Sequence, residues 1–132
     1  MSQADIEALR AVYEAVNRGD WDAVFRGGHP DFELKTPDQN PIAGTYRGQE
    51  AVRGFFDEIW AAFEEVTVEP EQFRELDGRV LVSLLMKLRP SDSGATVEMR
   101  ITHLWTMRDG KPARCEVFTR REQALEAAGL EE

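Results

Sequence analysis

The sequence predicts an α+β fold in which helices pack on one face of a strongly curved, mainly antiparallel sheet. Two observations carry this prediction. Segments with helical periodicity dominate the first half of the 132 residues, and strand-like segments joined by short turns dominate the second half. Strands joined by short turns pair in antiparallel fashion. We expect one domain over residues 1–132, because the length suits one core and the chain contains no repeat or linker.

Three helices are predicted in the first half. Apolar residues at helical spacing predict the first over residues 2–18, and Gly19 follows where a helix commonly ends. Asp20 is suited to cap a short second helix over residues 21–26. A third helix is predicted from residue 49 to about residue 63, and its apolar face is unusually aromatic.

Strands account for most of the remaining chain. A first strand is predicted over residues 31–36, followed by a loop that contains Pro37, Pro41 and Gly44. A short C-terminal helix is expected to close at Gly129. The later strands are predicted over residues 66–76, 79–89, 95–107 and 111–119, with turns at residues 77–78, 91–94 and 109–110.

Composition and charge exclude several classes of function. The chain carries 25 acidic and 16 basic residues, and its formal charge of −9 is unsuited to nucleic acid, which requires a basic footprint. No apolar run approaches the roughly 20 residues of a membrane span, so we expect no membrane partner and a cytoplasmic location. Cys115 is the single cysteine, which fits a reducing compartment. The two histidines and one cysteine lack metal-ligand spacing, and we expect neither a metal nor another cofactor.

The ordered motifs of the chain resemble those of a known superfamily. The segment at residues 15–24, AVNRGDWDAV, resembles the helix–turn–helix motif that opens the NTF2-like superfamily. The segment at residues 44–48, GTYRG, resembles the next motif of that superfamily. The closing hairpin, residues 103–119, resembles the SnoaL-like, or polyketide cyclase-like, branch. The resemblance implies a cone in which three N-terminal helices and a curved sheet enclose a deep pocket. It also implies a cyclase, isomerase or dehydratase activity, or a role in binding ligands or partners.

The resemblance locates the positions that carry catalysis in these enzymes. His103 stands where SnoaL-type cyclases have a histidine, but Val117 stands where they have the acid/base aspartate. Thr36 occupies the position of the base aspartate of ketosteroid isomerases, and their tyrosine aligns with Val12, next to Tyr13. A positioned general acid or base raises the reaction rate about 10²- to 10⁴-fold. Because both aspartates are absent, His103 is the remaining candidate acid/base. Thr36 and Tyr13 are candidates for hydrogen bonding, with a structural or packing role as the alternative.

His103 lies on a strand face that is otherwise apolar, because Ile101 and Trp105 flank it on that face. Imidazole suits proton transfer with a pKa of about 6.5, and the alternative is a buried histidine with one structural hydrogen bond. Cys115, across the hairpin, could form a nucleophile–base pair with His103 or pack as core. The predicted binding residues, which would form a pocket for a small hydrophobic or aromatic molecule, are Tyr13, Thr36, Phe56, Trp60, Met99, Trp105, Cys115 and Val117.

The strand at residues 80–86 is apolar on both faces, whereas an antiparallel strand with one wet face alternates. We therefore expect both faces to be covered, one by helices and the other by a second copy of the chain in a symmetric dimer. Leu104 and Phe118, on the face opposite His103, support this expectation. The alternative is a hydrophobic central strand with a few exposed side chains.

The leading hypothesis is a SnoaL-like protein that binds a small organic molecule and uses His103 for cofactor-free isomerisation, cyclisation or dehydration. The alternative is a non-catalytic module for dimerisation or partner binding, which predicts a filled pocket and a large apolar patch on the outer sheet. A separate alternative is a bulge that turns Glu98, Arg100, Thr102 or Glu116 inward and makes the pocket charged.

Overall fold

The computed structural model describes residues 2–36, 44–91 and 94–130, and it confirms the predicted α+β architecture. Pro37, Pro41 and the middle of the turn predicted at residues 91–94 lie outside the described residues. The helices are α1 (Ser2–Arg18), α2 (Trp21–Arg26), α3 (Gln49–Ala61) and α4 (Arg121–Ala127). The strands are β1 (Glu33–Lys35), β2 (Thr45–Arg47), β3 (Phe63–Leu76), β4 (Arg79–Pro90), β5 (Val97–Arg108) and β6 (Lys111–Phe118).

The strands form one sheet in the order β2-β1-β6-β5-β4-β3. Strands β3 to β6 pair with their sequence neighbours in antiparallel fashion, and β1 joins them through a parallel pairing with β6. The turn after β5 places Asp109 and Gly110 at φ 54° and 75°, the positive values that a tight hairpin requires. A register shift between Pro70 and Gln72 interrupts the β3–β4 ladder, and such bulges bend a strand.

Apart from shifts of one or two residues at strand ends, two features differ from the sequence-based expectation. Residues 45–47 lie in an expected loop but form β2, a three-residue edge strand that is too short to show periodicity. The helix predicted to reach about residue 63 ends at Ala61, and Phe63 begins β3. Phe63 continues the apolar spacing of the helix, but its backbone pairs with Pro90 at the end of β4.

Side-chain hydrogen bonds attach α1 to one face of the sheet, called the inner face below, and join α2 to α3. The Asn17 amide at the end of α1 donates to the carbonyl of Val68 and accepts from its N–H, both at 2.8 Å. The Gln49 amide donates to the carbonyls of Phe25 and His29 at 3.0 and 3.1 Å, which joins the start of α3 to the end of α2. In the described part of the chain, no helix is long and apolar enough to cross a membrane.

The opposite, outer face is covered at one end by α4. Leu81 of β4 and Leu104 of β5 are each 2 % exposed and cluster with the helix, with Phe118 packed at the margin. The cover expected from a second copy is therefore supplied over Leu104 and Phe118 by the same chain. This helix is the short C-terminal one predicted, and it ends where Gly129 adopts a φ of 78° and the N–H of Leu130 donates to the carbonyl of Leu125 at 2.8 Å.

Candidate functional site

A cavity of about 310 Å³ lies between the three helices and the inner face of the sheet. Its lining is predominantly apolar, and it includes every residue that the sequence analysis proposed for the site. Residues contributed by the helices, by the end of the first strand and by the final hairpin are thereby brought together: Tyr13, Thr36, Phe56, Trp60, Met99, His103, Trp105, Cys115 and Val117.

Phe56 and Trp60 belong to the helical wall of the cavity, and Trp21 packs against both rings. Trp21 of α2 stacks on Phe56 of α3 with ring centroids 5.4 Å apart, and Trp60 meets both rings edge-on at 5.2 and 5.4 Å. Such rings supply a large, rigid apolar surface. Phe25 and Phe32, which are not among the predicted binding residues, also line the cavity. The apolar spacing of α2 indicates the inward position of Phe25.

Three aromatic side chains joined by hydrogen bonds form one polar part of the wall. The Tyr13 hydroxyl lies 2.7 Å from Nδ1 of His103, and Nε1–H of Trp105 donates to the same hydroxyl oxygen at 2.9 Å. The rings of Tyr13 and His103 are nearly parallel at 10°, and Trp105 stands almost perpendicular to Tyr13 at 86°. Residue 13 and residue 103 are far apart in the chain, so the packing of α1 on the sheet creates this contact.

Burial determines the protonation states of His103 and Tyr13. It lowers the pKa of His103 from 6.5 to about 4, so the imidazole is neutral near pH 7. Burial is also the main reason that the pKa of Tyr13 is raised well above 10, with the neighbouring Cys115 adding to the shift and the bond from Trp105 opposing it. The hydroxyl of Tyr13 therefore keeps its proton. The pKa of His103 therefore lies below the unperturbed imidazole value of about 6.5, and the sequence alone does not reveal how far the ring is desolvated.

Thr36 and Cys115 are both held within the wall. The Thr36 side chain is 4 % exposed, and its hydroxyl donates to the carbonyl of Gly44 at 3.2 Å and accepts from the Gly44 N–H at 2.9 Å. Cys115 is 2 % exposed and pairs across the hairpin with Trp105, whereas His103 pairs with Val117. Burial raises the pKa of the Cys115 thiol, which keeps it protonated. The considered pair of a cysteine nucleophile with His103 is not formed.

Charged neighbours on β5 point away from the cavity. The β4–β5 pairing runs without a register shift from Val97 to Thr106, so strand alternation is unbroken. Arg100 forms two hydrogen bonds with Glu71, at 3.2 and 3.0 Å, on the exposed outer face. Glu116 pairs with Arg114 at 3.6 Å. The alternative of a bulge that turns these side chains inward is wrong.

A second depression, of about 660 Å³, lies on the outer face beside the start of α4. It is larger than the inner cavity but open to solvent, and its polar groups are largely paired with one another. Arg100 is bound by Glu71, and Arg121 donates to the Ser83 hydroxyl at 2.8 Å. The inner cavity is the better candidate, because enclosed apolar walls and a few directed polar groups are typical of small-molecule sites. Within residues 2–36, 44–91 and 94–130, no group of three His, Cys, Asp or Glu side chains is arranged to hold a metal.

Comparison with known proteins agrees with this architecture. The model of the SnoaL-like domain family matches residues 9–115. The chain belongs to the SnoaL-like family. The resemblance found in its motifs is therefore confirmed, and its cone belongs to the NTF2-like folds. An uncharacterised protein of Mycobacterium tuberculosis (strain ATCC 25618 / H37Rv) is 29% identical over 118 residues, which cover 87% of this SnoaL-like chain and 88% of the relative.

Solved structures extend the similarity. The crystal structure of TerC co-crystallised with polyporic acid has a TM-score of 0.80 and 28% identity, covering 96% of this chain and 98% of TerC. A putative SnoaL-like polyketide cyclase from Jannaschia sp. CCS1 has a TM-score of 0.76 over 98% of this chain and 94% of its own. At 17% identity, that second likeness shows the fold alone.

Proposed function

We propose that this SnoaL-like protein binds a small, mostly apolar organic molecule in the inner cavity, with His103 as its main polar contact. The observation that carries the proposal is the cavity of about 310 Å³, which combines aromatic walls with a few polar side chains. Apolar walls supply affinity through burial, and a few polar groups supply orientation. The co-crystal of TerC with polyporic acid supports the proposal, because that protein shares the fold at 28% identity.

The rival proposal, a module for dimerisation or partner binding, requires a filled cavity and a large apolar outer patch. The cavity volume argues against the first requirement. On the outer face, Glu69 pairs with Lys87 at 3.2 Å and Glu71 pairs with Arg100, so charged pairs occupy the region beyond α4. These observations favour ligand binding.

The catalytic part of the original hypothesis stays a prediction. A histidine whose pKa is about 4 is a weaker base than one with a pKa of 6.5, and Thr36 and Val117 provide no carboxylate at the two positions where resembling enzymes have one. Isomerisation, cyclisation or dehydration without a cofactor would therefore proceed with His103 alone as the acid/base. A turnover assay on ligands that bind, with wild type and His103→Gln, tests this prediction.

A probe-binding experiment tests the binding proposal. We expect 1-aminoanthracene, a neutral fluorescent three-ring probe, to bind saturably with one site per chain. Val117→Phe places a ring in the cavity and should abolish this binding. Thr67→Phe is the matched control, because Thr67 lies on the outer face of β3 between the inward Val66 and Val68. Equal binding to both variants, or no saturable binding to wild type, would contradict the proposal.

The homodimer through the outer face also stays a proposal, with narrower support than the sequence suggested. Leu85 lies on this face outside the cluster that α4 forms with Leu81 and Leu104, and it is half-buried. We expect light scattering to give the mass of two chains for wild type and of one chain for Leu85→Arg. A wild-type mass of one chain at micromolar concentration would exclude the dimer.

A further inference from the structure

The donor and the acceptor can be assigned for two hydrogen bonds at the cavity wall. Trp105 Nε1 lies 2.9 Å from the Tyr13 oxygen, and that oxygen lies 2.7 Å from Nδ1 of His103. An indole nitrogen can only donate, and a neutral phenol has a single proton to donate. The Tyr13 oxygen therefore accepts from Trp105, and its own proton is available for Nδ1 of His103.

The reverse arrangement, in which Nδ1–H of His103 donates to Tyr13, leaves the hydroxyl proton without an acceptor. Tyr13 is 3 % exposed, and among the described residues its hydroxyl has Trp105 and His103 as its hydrogen-bond partners. A buried donor without a partner is strongly disfavoured relative to one that is paired. His103 is therefore held with a lone pair on Nδ1 and its proton on Nε2.

The second nitrogen of His103 is left for the cavity. Across the described part of the chain, no hydrogen bond to Nε2 is found, and Nε2 is not among the buried polar atoms that lack a partner. It is therefore accessible from the cavity that His103 lines. The Thr36 hydroxyl, in the same wall, is already engaged by Gly44. Nε2–H is thus a directed donor set in apolar surroundings.

We propose that the ligand of this cavity carries a hydrogen-bond acceptor of the ketone-carbonyl type, which receives Nε2–H of His103, and that Tyr13 and Trp105 are positioning residues. The inference rests on the proposed function, since it takes the cavity as the ligand site. In the bound complex His103 polarises the carbonyl by donating a hydrogen bond, and this binding step requires no proton transfer. An oriented donor in a dry site stabilises negative charge that develops on oxygen.

The tautomer can be measured without any ligand. In protein labelled with ¹⁵N-histidine, two-bond ¹H–¹⁵N spectra at pH 7 should show an unprotonated Nδ1 and a protonated Nε2 for His103. His29→Asn assigns the signals, because the chain has only two histidines. Tyr13→Phe keeps the ring and removes the hydroxyl, so it should shift His103 towards a mixture of tautomers. Trp105→Phe provides a second perturbation of the same bond chain. A wild-type His103 protonated on Nδ1 would overturn the inference.

A matched pair of probes tests the ligand class. We expect 2-acetylnaphthalene to bind about threefold to tenfold more tightly than 2-isopropenylnaphthalene, which has the same shape without the carbonyl oxygen, because one neutral hydrogen bond separates them. His103→Leu should reduce that ratio to about one, and His29→Asn should leave it unchanged. Tyr13→Phe should give an intermediate ratio, which a purely structural role of Tyr13 would not produce.

The outcomes separate the two proposals. Equal affinity of both probes for wild type would overturn the acceptor inference and leave the cavity as a binding site. Absence of binding by both probes and by 1-aminoanthracene would overturn the proposed function itself. A ratio that survives His103→Leu would assign the donor to another group and contradict the role given to His103.

Discussion

The two faces of the sheet are made by alternate residues of the same strands, yet they are packed in different ways. Leu81 pairs with Leu104 on the outer face, and the adjacent pair, Val82 with His103, lies on the inner face. The outer pair is sealed beneath α4. Val82 belongs to the core cluster between helices and sheet, and His103 lines the cavity beside that cluster. The outer face is closely packed beneath α4, whereas the inner face combines a packed core with space for a ligand.

The largest expected effect comes from a truncation on the sealed face. Leu104→Ala should lower the free energy of unfolding by about 3 kcal/mol, because a closely packed site relaxes little around the space created. Leu88→Ala deletes the same atoms from a half-buried side chain at the cavity and should cost about 1 kcal/mol. Urea denaturation measures both. Equal losses would mean that the two faces are packed alike.

Lowering the pH should destabilise the folded protein, because His103 is buried in its neutral form. Its pKa is about 4 in the folded protein and about 6.5 when unfolded, so the unfolded chain takes up the proton first as pH falls. This destabilisation by His103 is absent above pH 6.5. Between pH 6.5 and pH 4.5 the free energy of unfolding of wild type should fall by about 2 to 3 kcal/mol more than that of His103→Gln. Parallel pH-dependent urea curves for both proteins would conflict with a buried, neutral imidazole.

A carboxylate introduced on the inner face should change the pKa of His103, whereas one introduced on the outer face should not. Val117 is the cross-strand partner of His103, so Val117→Asp brings an anion close to the imidazole and should raise the pKa of His103 by about one unit or more. Thr106→Asp, on the outer face of β5, should leave that pKa in place. NMR titration of the His103 ring measures both. A rise in both variants would point to the net charge of the protein instead of the pairing.

The smallest expected effect lies at the exposed rim. Met99 is 39 % exposed and lines the cavity, so Met99→Ala should change the free energy of unfolding by less than about 0.5 kcal/mol. The same change should weaken binding of 1-aminoanthracene about threefold, because it removes apolar surface that the probe would cover. A loss of stability comparable to that of Leu104→Ala would show that Met99 belongs to the packed core.

The sequence predicted the helices and hairpins because their causes are local. Asp20 accepts the N–H of Ala23 at 3.1 Å as its place before α2 implies, and Asp109-Gly110 makes the tight turn. Features that depend on distant partners were not predicted. β2 exists because it pairs with β1, and the parallel pairing of β1 with β6 joins segments about eighty residues apart.

The site was predicted as a set of residues but without its internal contacts. Strand alternation placed His103 and Trp105 on one face, and the helical stripe placed Tyr13 on the core side of α1. A buried tyrosine hydroxyl requires a partner, but periodicity cannot say which one. The direction of the bonds to His103 and the depression of its pKa follow from tertiary burial, which the sequence does not display.

The contact between Tyr13 and His103, which spans 90 residues of sequence, has a consequence for how the protein folds. Strands β3 to β6 are joined by short connections and can pair with little loss of chain entropy, whereas the docking of α1 closes a long loop. We therefore expect β3 to β6 to pair before α1 brings Tyr13 to His103. The Nε2–H donor of His103 would then be fixed only in the final stage of folding. A ligand that requires this donor would bind only the fully folded protein.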